Sequence, residues 1–291
     1  MARVHDLLER VARQRTAALM GIVNVTPNSF YDGGRYETPS AAREHVVRLL
    51  AEGADILDIG GESSKPGAPS IAAEQQIERL GVALECARSE GALISIDTAS
   101  PAVADFALAR GAQIINDVTC LAEPELADVV ARHDAFLIVS HARGHQSKMP
   151  GFSDWSDDDY GDVVVEVRAE LERARATAVA RGVRREQVWF DPGLGFSKNA
   201  RQSLELLSRV GELGQDGTPL VVGTGRKSFI RSLDDSAPSD RLGGTIAASV
   251  WASRLGVQIV RVHDVRAVRQ ALLVEAALTM APRPVGEASP P

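Results

Sequence analysis

Short, mostly apolar runs recur along the chain, separated by longer stretches in which apolar positions return every three or four residues. The runs are Ala18–Val23, Ile56–Ile59, Leu93–Ile96, Gln113–Ile115, Phe136–Val139, Val188–Phe190, Leu220–Val222 and Gln258–Val262. Each is too short for a helix and nearly continuous in apolar character, as a strand covered on both faces is. The stretches Ala41–Glu52, Ile71–Glu90, Pro101–Arg110, Glu125–Arg132, Val163–Arg181, Leu204–Glu212, Thr245–Arg254 and Val265–Met280 carry the spacing of helices with one buried face. Eight strands alternating with helices predict an α/β fold, a single (β/α)8 TIM barrel. Three helices run into the next strand through a similar turn: Gly53-Ala54-Asp55-Ile56, Gly111-Ala112-Gln113-Ile114 and Gly256-Val257-Gln258-Ile259. A glycine suits the left-handed residue that ends a helix. An open, doubly wound sheet has the same rhythm, but Gly21-Ile22-Val23-Asn24 is not the glycine-rich fingerprint that sheet usually carries.

Residues 1–15 read as a short N-terminal helical extension closing the bottom of the barrel, 16–280 as the barrel, and 281–291, rich in proline, as a flexible tail. The longest irregular stretch, Arg143–Asp162, follows the fifth strand and reads as a long active-site loop. A net charge of −7 and only 4% aromatic residues offer neither the basic excess nor the stacking surface of a nucleic-acid binder. No apolar run reaches the length of a membrane span, and Met1–Arg15 is charged throughout, unlike a secretory signal. Cys86 and Cys120 have no ligand spacing and form no disulfide framework, so a cytoplasmic setting is expected. His5, His45, His133 and His145 lack ligand spacing and read as surface positions. Asp154–Asp159 reads as a solvated loop, and Arg168–Arg185 as a solvated helix face.

Polar residues gather where the strands end: Asn24, Asp58, Asp97, Asn116-Asp117, His141, Asp191, Arg226-Lys227, and Arg261 with His263. Any one of them alone is more simply a residue that caps a helix or turns the chain. In a barrel, however, these ends share one mouth. Asp97, Asn116, Asp191 and Lys227 offer donors and acceptors suited to a flat, nitrogen-rich heterocycle. Asn24, Arg261 and His263 suit an anion, with Asp58 and Asp32 near enough to help hold Mg2+. That ion favours few carboxylates plus phosphate oxygens.

Two long segments resemble signatures of the dihydropteroate synthases: Met20-Gly21-Ile22-Val23-Asn24-Val25-Thr26-Pro27-Asn28-Ser29-Phe30-Tyr31-Asp32-Gly33-Gly34 and Asp58-Ile59-Gly60-Gly61-Glu62-Ser63-Ser64-Lys65-Pro66-Gly67-Ala68. Ser95-Ile96-Asp97-Thr98, Ile115-Asn116-Asp117-Val118, Asp191-Pro192-Gly193-Leu194-Gly195-Phe196, Gly225-Arg226-Lys227-Ser228 and Arg261-Val262-His263-Asp264-Val265 follow in that family's order. The resemblance covers roughly the whole barrel. It implies a transferase of folate biosynthesis that joins 7,8-dihydropterin-6-ylmethyl diphosphate to 4-aminobenzoate, releasing pyrophosphate and 7,8-dihydropteroate. It implies a pterin pocket of Asp97, Asn116, Asp191 and Lys227, and a diphosphate site of Asn24, Ser64, Arg261 and His263. It further implies Mg2+ at Asn24 and an aminobenzoate pocket of Phe30, Pro66, Phe196, Gly225 and Lys227. Catalysis would fall to Asp97, Asp191, Lys227, Arg261 and His263, with the loops Thr26–Gly34 and Ser63–Ala68 closing over the site. A homodimer built from barrel helices is implied as well.

Four positions depart from the family's pattern: Asn28 where it has Asp, Lys65 where it has Arg, Gly225 where it has Ser, and Ser140 where it has Met. The pterin and diphosphate residues are kept, while the acceptor side is altered, so a different aryl amine is the alternative substrate. A methyltetrahydrofolate-dependent methyltransferase barrel shares the pterin pocket, but needs no diphosphate clamp such as Asn24, Arg261 and His263. A third alternative is a non-catalytic homologue kept as a binding or partner subunit, and intact Asp97, Asn116, Asp191 and Lys227 argue against such decay.

Overall fold

The computed structural model of the protein describes residues 2–25, 39–63, 68, 70–144 and 155–280. The eight expected runs are eight strands: β1 (Ala18–Asn24), β2 (Ile56–Gly60), β3 (Leu93–Asp97), β4 (Ile114–Asp117), β5 (Phe136–Ser140), β6 (Val188–Asp191), β7 (Val221–Gly223) and β8 (Ile259–Val262). They pair in the order β6-β5-β4-β3-β2-β1-β8-β7, each pairing parallel. The two ends of that order meet. Phe190 of β6 bridges Leu220, and its N–H donates to the Pro219 carbonyl at 3.0 Å. An open sheet would leave two edges free, so this closure excludes the doubly wound alternative.

The helices are α1 (Ala2–Gln14), α2 (Pro39–Glu52), α3 (Ala73–Ser89), α4 (Pro101–Leu108), α5 (Glu125–Arg132), α6 (Val163–Ala180), α7 (Ala200–Ser208), α8 (Ser228–Asp234), α9 (Leu242–Arg254) and α10 (Val265–Met280). Local sequence starts several of them. Ser100 accepts from the Val103 N–H ahead of Pro101, and Asp162 accepts from the Val164 and Val165 N–H groups. Gly53, Gly111 and Gly256 take φ of +97°, +99° and +86°, the left-handed helix ends that their repeated turn predicts. The segment expected as one helix over 204–212 is instead α7, started early by an Asn199–Gln202 capping box, followed by a 3-10 turn at Val210–Gly214. Helix α8 was not expected; seven residues with only Phe229 and Ile230 buried show no period.

Inside the barrel, Ala18, Met20, Ile56, Leu93, Ile114, Phe136, Ile138, Trp189, Val221 and Ile259 fill the lower half. From below, Val4, Leu7 and Val11 of α1 complete that cluster, as expected of the N-terminal extension. Side chains on a strand return to one face every second residue. Two residues beyond this apolar layer the same inward direction therefore belongs to Asp58, Asn116, Ser140, Asp191, Gly223 and Arg261. A solid floor beneath a polar rim leaves only the C-terminal mouth for chemistry.

Two surface expectations are overturned. His45 is buried on the inner face of α2, its Nε2 3.0 Å from the Ile22 carbonyl. Arg175 is buried within α6, its guanidinium 4.7 Å from the Phe190 ring centre and 2.8 Å from Asp216. Both sit on the sheet-facing side of their helices, where a satisfied polar group is tolerated.

Candidate active site

Register builds the rim. Asn24 lies beside Gly60, Gly60 beside Asp97, Asp97 beside Asn116, and Gly223 beside Arg261. Arg261 is the hub. Its Nε donates to Asp58 Oδ2 at 2.6 Å and its Nη2 to Asp97 Oδ2 at 2.7 Å. Asn116 Nδ2 donates to the same Asp58 oxygen at 3.1 Å. Asp58 Oδ1 and Asn116 Oδ1 are buried with no protein partner, so the polar set is not closed on itself. Asp191 Oδ1 accepts from the Gly193 N–H at 2.7 Å. Lys227 Nζ stands 4.7 Å from the centre of the Phe196 ring. The Lys227 stem passes Gly223 on its way into the mouth, where even an added Cβ would lie at an ordinary contact distance of 3.4 Å from Cε.

Burial sets the electrostatics. It pushes the Asp97 carboxyl up against the pull of Arg261, and the negative charge of Asp58 adds to the push. It pushes Asp191 up too, opposed by the Gly193 N–H and by Lys227. The Lys227 ammonium is drawn down to about 8 by burial, with Asp191 resisting. His263 falls to about 3, through burial first and then the nearby Arg261 and Arg226 charges. It is therefore neutral near pH 7 in the ligand-free protein.

Not every strand-end residue faces the mouth. Arg226, at φ +51°, is turned onto Asp264 in two bonds of 2.8 and 2.6 Å and onto the Pro238 and Ser239 carbonyls. It anchors the turn that presents Lys227. Asp117 points away from the interior and accepts from the Thr119 N–H at 3.0 Å and hydroxyl at 2.6 Å, fixing the loop after β4. His141 is fully buried behind the loop after β6 and contacts Glu170 and Lys198. Phe30, Ser64 and Pro66, with Asn28, Asp32 and Lys65, lie outside the described residues.

Two residues matter more than their sequence positions suggested. Asp58, read from the sequence as near enough to help hold Mg2+, joins Arg261 to Asn116. Lys198, two residues after Phe196, carries no motif of its own yet is wholly buried. The only available signal was a lysine just past a glycine-rich strand end. At Gly225 an added Cβ would lie 3.4 Å from His263 Cδ2 and Val262 Cα, ordinary contact distances, so crowding does not account for the glycine. Among the described residues no three His, Cys, Asp or Glu side chains form a metal-binding group. Asn24, half-buried at the end of β1, can offer a single amide oxygen to an ion whose other ligands come with a substrate.

The family model described as "Pterin binding enzyme" matches residues 20–263, the stretch that carries this whole rim. A dihydropteroate synthase of Synechocystis sp. is 40% identical over 263 residues, which are 89% of each chain. The chain belongs to the dihydropteroate synthase family of pterin-binding enzymes. Solved structures of the family superpose closely. A Xanthomonas albilineans dihydropteroate synthase with 4-aminobenzoic acid gives a TM-score of 0.83 at 36% identity, covering 92% of this chain and 95% of that one. A Burkholderia cenocepacia dihydropteroate synthase complexed with 7,8-dihydropteroate gives 0.81 at 34% identity, covering 90% and 91%. Membership fits a mouth that combines buried carboxylates with Arg261 and Lys227.

Proposed function

We propose that this barrel is a dihydropteroate synthase whose pocket takes the pterin between Asp97, Asn116 and Asp58 on one side and Asp191 and Lys227 on the other. The observation that carries it is Arg261 bridging Asp58 and Asp97 at 2.6 and 2.7 Å on the same rim as Asp191. An arginine has five N–H groups and two are used here, so the remainder are free for a phosphate or pterin oxygen. The relatives from X. albilineans and B. cenocepacia carry 4-aminobenzoic acid and 7,8-dihydropteroate, the acceptor and product of this reaction.

The chemistry asks little of a base. Breaking the C–O bond to pyrophosphate leaves a pterin-methyl cation, which a weakly nucleophilic aryl amine can attack directly, the anilinium so formed passing its proton to the released pyrophosphate or to water. Asp97 and Asp191 supply fixed negative charge to that cation. Arg261 and His263 face the leaving diphosphate. His263, neutral before binding, gains basicity once that anion sits beside it. Asn24 would hold Mg2+ together with the diphosphate, and the ion would supply positive charge to the leaving group. Ser64, Phe30 and Pro66 belong to the diphosphate and aminobenzoate sides of the same proposal, with Phe196, Gly225 and Lys227. Loss of the diphosphate-facing residues would suit a methyltransferase barrel, and here Asn24, Arg261 and His263 are kept.

The decisive measurement is pyrophosphate release from the pterin diphosphate with 4-aminobenzoate and a panel of other aryl amines. Turnover with 4-aminobenzoate at least tenfold above the other amines is expected. Turnover only with another amine would transfer the reaction to that acceptor, as the departures at Gly225 and Lys65 allow. Two further elements complete the proposal. One is a homodimer through the apolar face of α9 and α10. The other is a cytoplasmic setting, supported by cysteines that stay unpaired. No helix among the described residues is long and apolar enough to cross a membrane.

A further inference from the structure

Lys198 is buried to 0% exposure, and nothing in the reaction above uses it. Its three N–H directions are all taken: His141 Nδ1 at 2.8 Å, the Phe196 carbonyl at 2.8 Å and the Gly193 carbonyl at 3.2 Å. His141 in turn places Nε2 2.9 Å from Glu170 Oε2. A neutral imidazole that accepts at Nδ1 carries its proton at Nε2 and donates it to the carboxylate. Arg143 holds Glu170 at 2.8 Å and lies 3.9 Å over the Tyr160 ring, whose hydroxyl donates to the Ser197 carbonyl at 2.8 Å. Several branches of this network end on residues 193–197: Lys198 on the Gly193 and Phe196 carbonyls, Tyr160 on the Ser197 carbonyl, and the Arg143 N–H on the Ser197 hydroxyl.

That segment needs holding. Gly193, Gly195 and Ser197 all have left-handed φ, at +64°, +80° and +50°. A Cβ at Gly193 would lie 2.0 Å from the His141 carbonyl, so the loop is pressed against the end of β5. The same segment delivers two parts of the mouth: the Gly193 N–H on Asp191 and the Phe196 ring beside Lys227. Burial also draws the Lys198 ammonium down to about 7, with the charge of Asp191 resisting.

We propose that Lys198 is a positioning residue for the aryl-amine half of the site, its ammonium fixing the Gly193 and Phe196 carbonyls so that the Phe196 ring stays against Lys227. This rests on the reading that an aryl amine is the acceptor. The variant Lys198→Met keeps the stem and removes all three donors. Two readouts are compared with wild type: amide exchange in peptides spanning 193–197, and steady-state constants for 4-aminobenzoate. Lys198→Met is expected to exchange those amides at least tenfold faster while the β-strand amides keep their protection. The KM for 4-aminobenzoate is expected to rise at least tenfold with kcat within threefold. Should Lys198→Met fail to fold, Glu170→Gln weakens the same chain from its partly exposed end, and a KM rise of about threefold without a kcat change is expected. Unchanged loop exchange, or a fall in kcat at constant KM, overturns the proposal. If wild-type protein turns over no aryl amine, the acceptor reading fails and the role assigned to Lys198 fails with it. Faster loop exchange in the variant would then mark Lys198 as a loop anchor only.

Discussion

At position 227 a lysine stem passes a bare glycine to reach a pocket with two carboxylates in range, and its ammonium still loses stability there. Desolvation outweighs the pull of Asp191, so the group titrates at about 8 rather than in the usual lysine range. The sign follows directly: charged below that value, neutral above it. If the ammonium grips the pterin, kcat/KM for the pterin diphosphate, which reports the free enzyme, falls about tenfold per pH unit above 8. Lys227→Arg, whose guanidinium stays charged, is expected to lower the plateau and move the alkaline limb beyond pH 9. A wild-type profile flat from pH 7 to 10 removes Lys227 from the binding role. Asp58 teaches a complementary lesson about what one residue reveals. Its place at a strand end was legible, but its partner was not, because Arg261 lies 203 positions away and only the barrel brings them together.

Elements were legible to the extent that their pattern was long and unmixed. Five of the eight strands are apolar runs that end on a polar residue, Asn24, Asp97, Asp117, Ser140 or Asp191, and that switch marks where the element stops. Helices α5 and α10 match their expected limits because their apolar spacing persists to both ends. Helix α8 escaped because seven residues give scarcely two turns, and Lys198 escaped because burial of a lysine is decided by neighbours, not by its own segment. His45 and Arg175 escaped for the same reason. The amphipathic α1 is the best test of an element read from pattern alone. Its Val4, Leu7 and Val11 seal the barrel floor under Met20, Phe136 and Trp189. Leu7→Ala is expected to lower the unfolding free energy by about 2–4 kcal/mol in urea. The substrate KM values should be unchanged, since the mouth is at the other end. A loss below about 0.5 kcal/mol would show that α1 is not part of the cooperative fold.

For the whole molecule, large exposed apolar side chains are concentrated on one flank. On α10, Leu273, Val274, Leu278 and Met280 are more than half exposed and, with Ala277, share one face of the helix. Helix α10 packs between α9 and α2, and α9 adds Trp251 at 51% exposure. Scattered apolar residues need no explanation, but a flank of this kind, rimmed by the Arg254–Glu275 pair, is where the proposed homodimer would form. Burying roughly 800 Å² on each copy would suffice for a stable twofold dimer. The helices run back from the mouth, so the end of α10 lies toward the barrel floor, and pairing there leaves both mouths open. Sedimentation equilibrium at micromolar concentration is expected to give twice the 31.0 kDa chain mass. Val274→Glu with Leu278→Glu should weaken association at least a hundredfold while KM for both substrates holds within about twofold, because a charge at a buried core contact is strongly disfavoured. A wild-type protein that sediments as a monomer, or a double variant that dimerises unimpaired, rules out this flank as the interface.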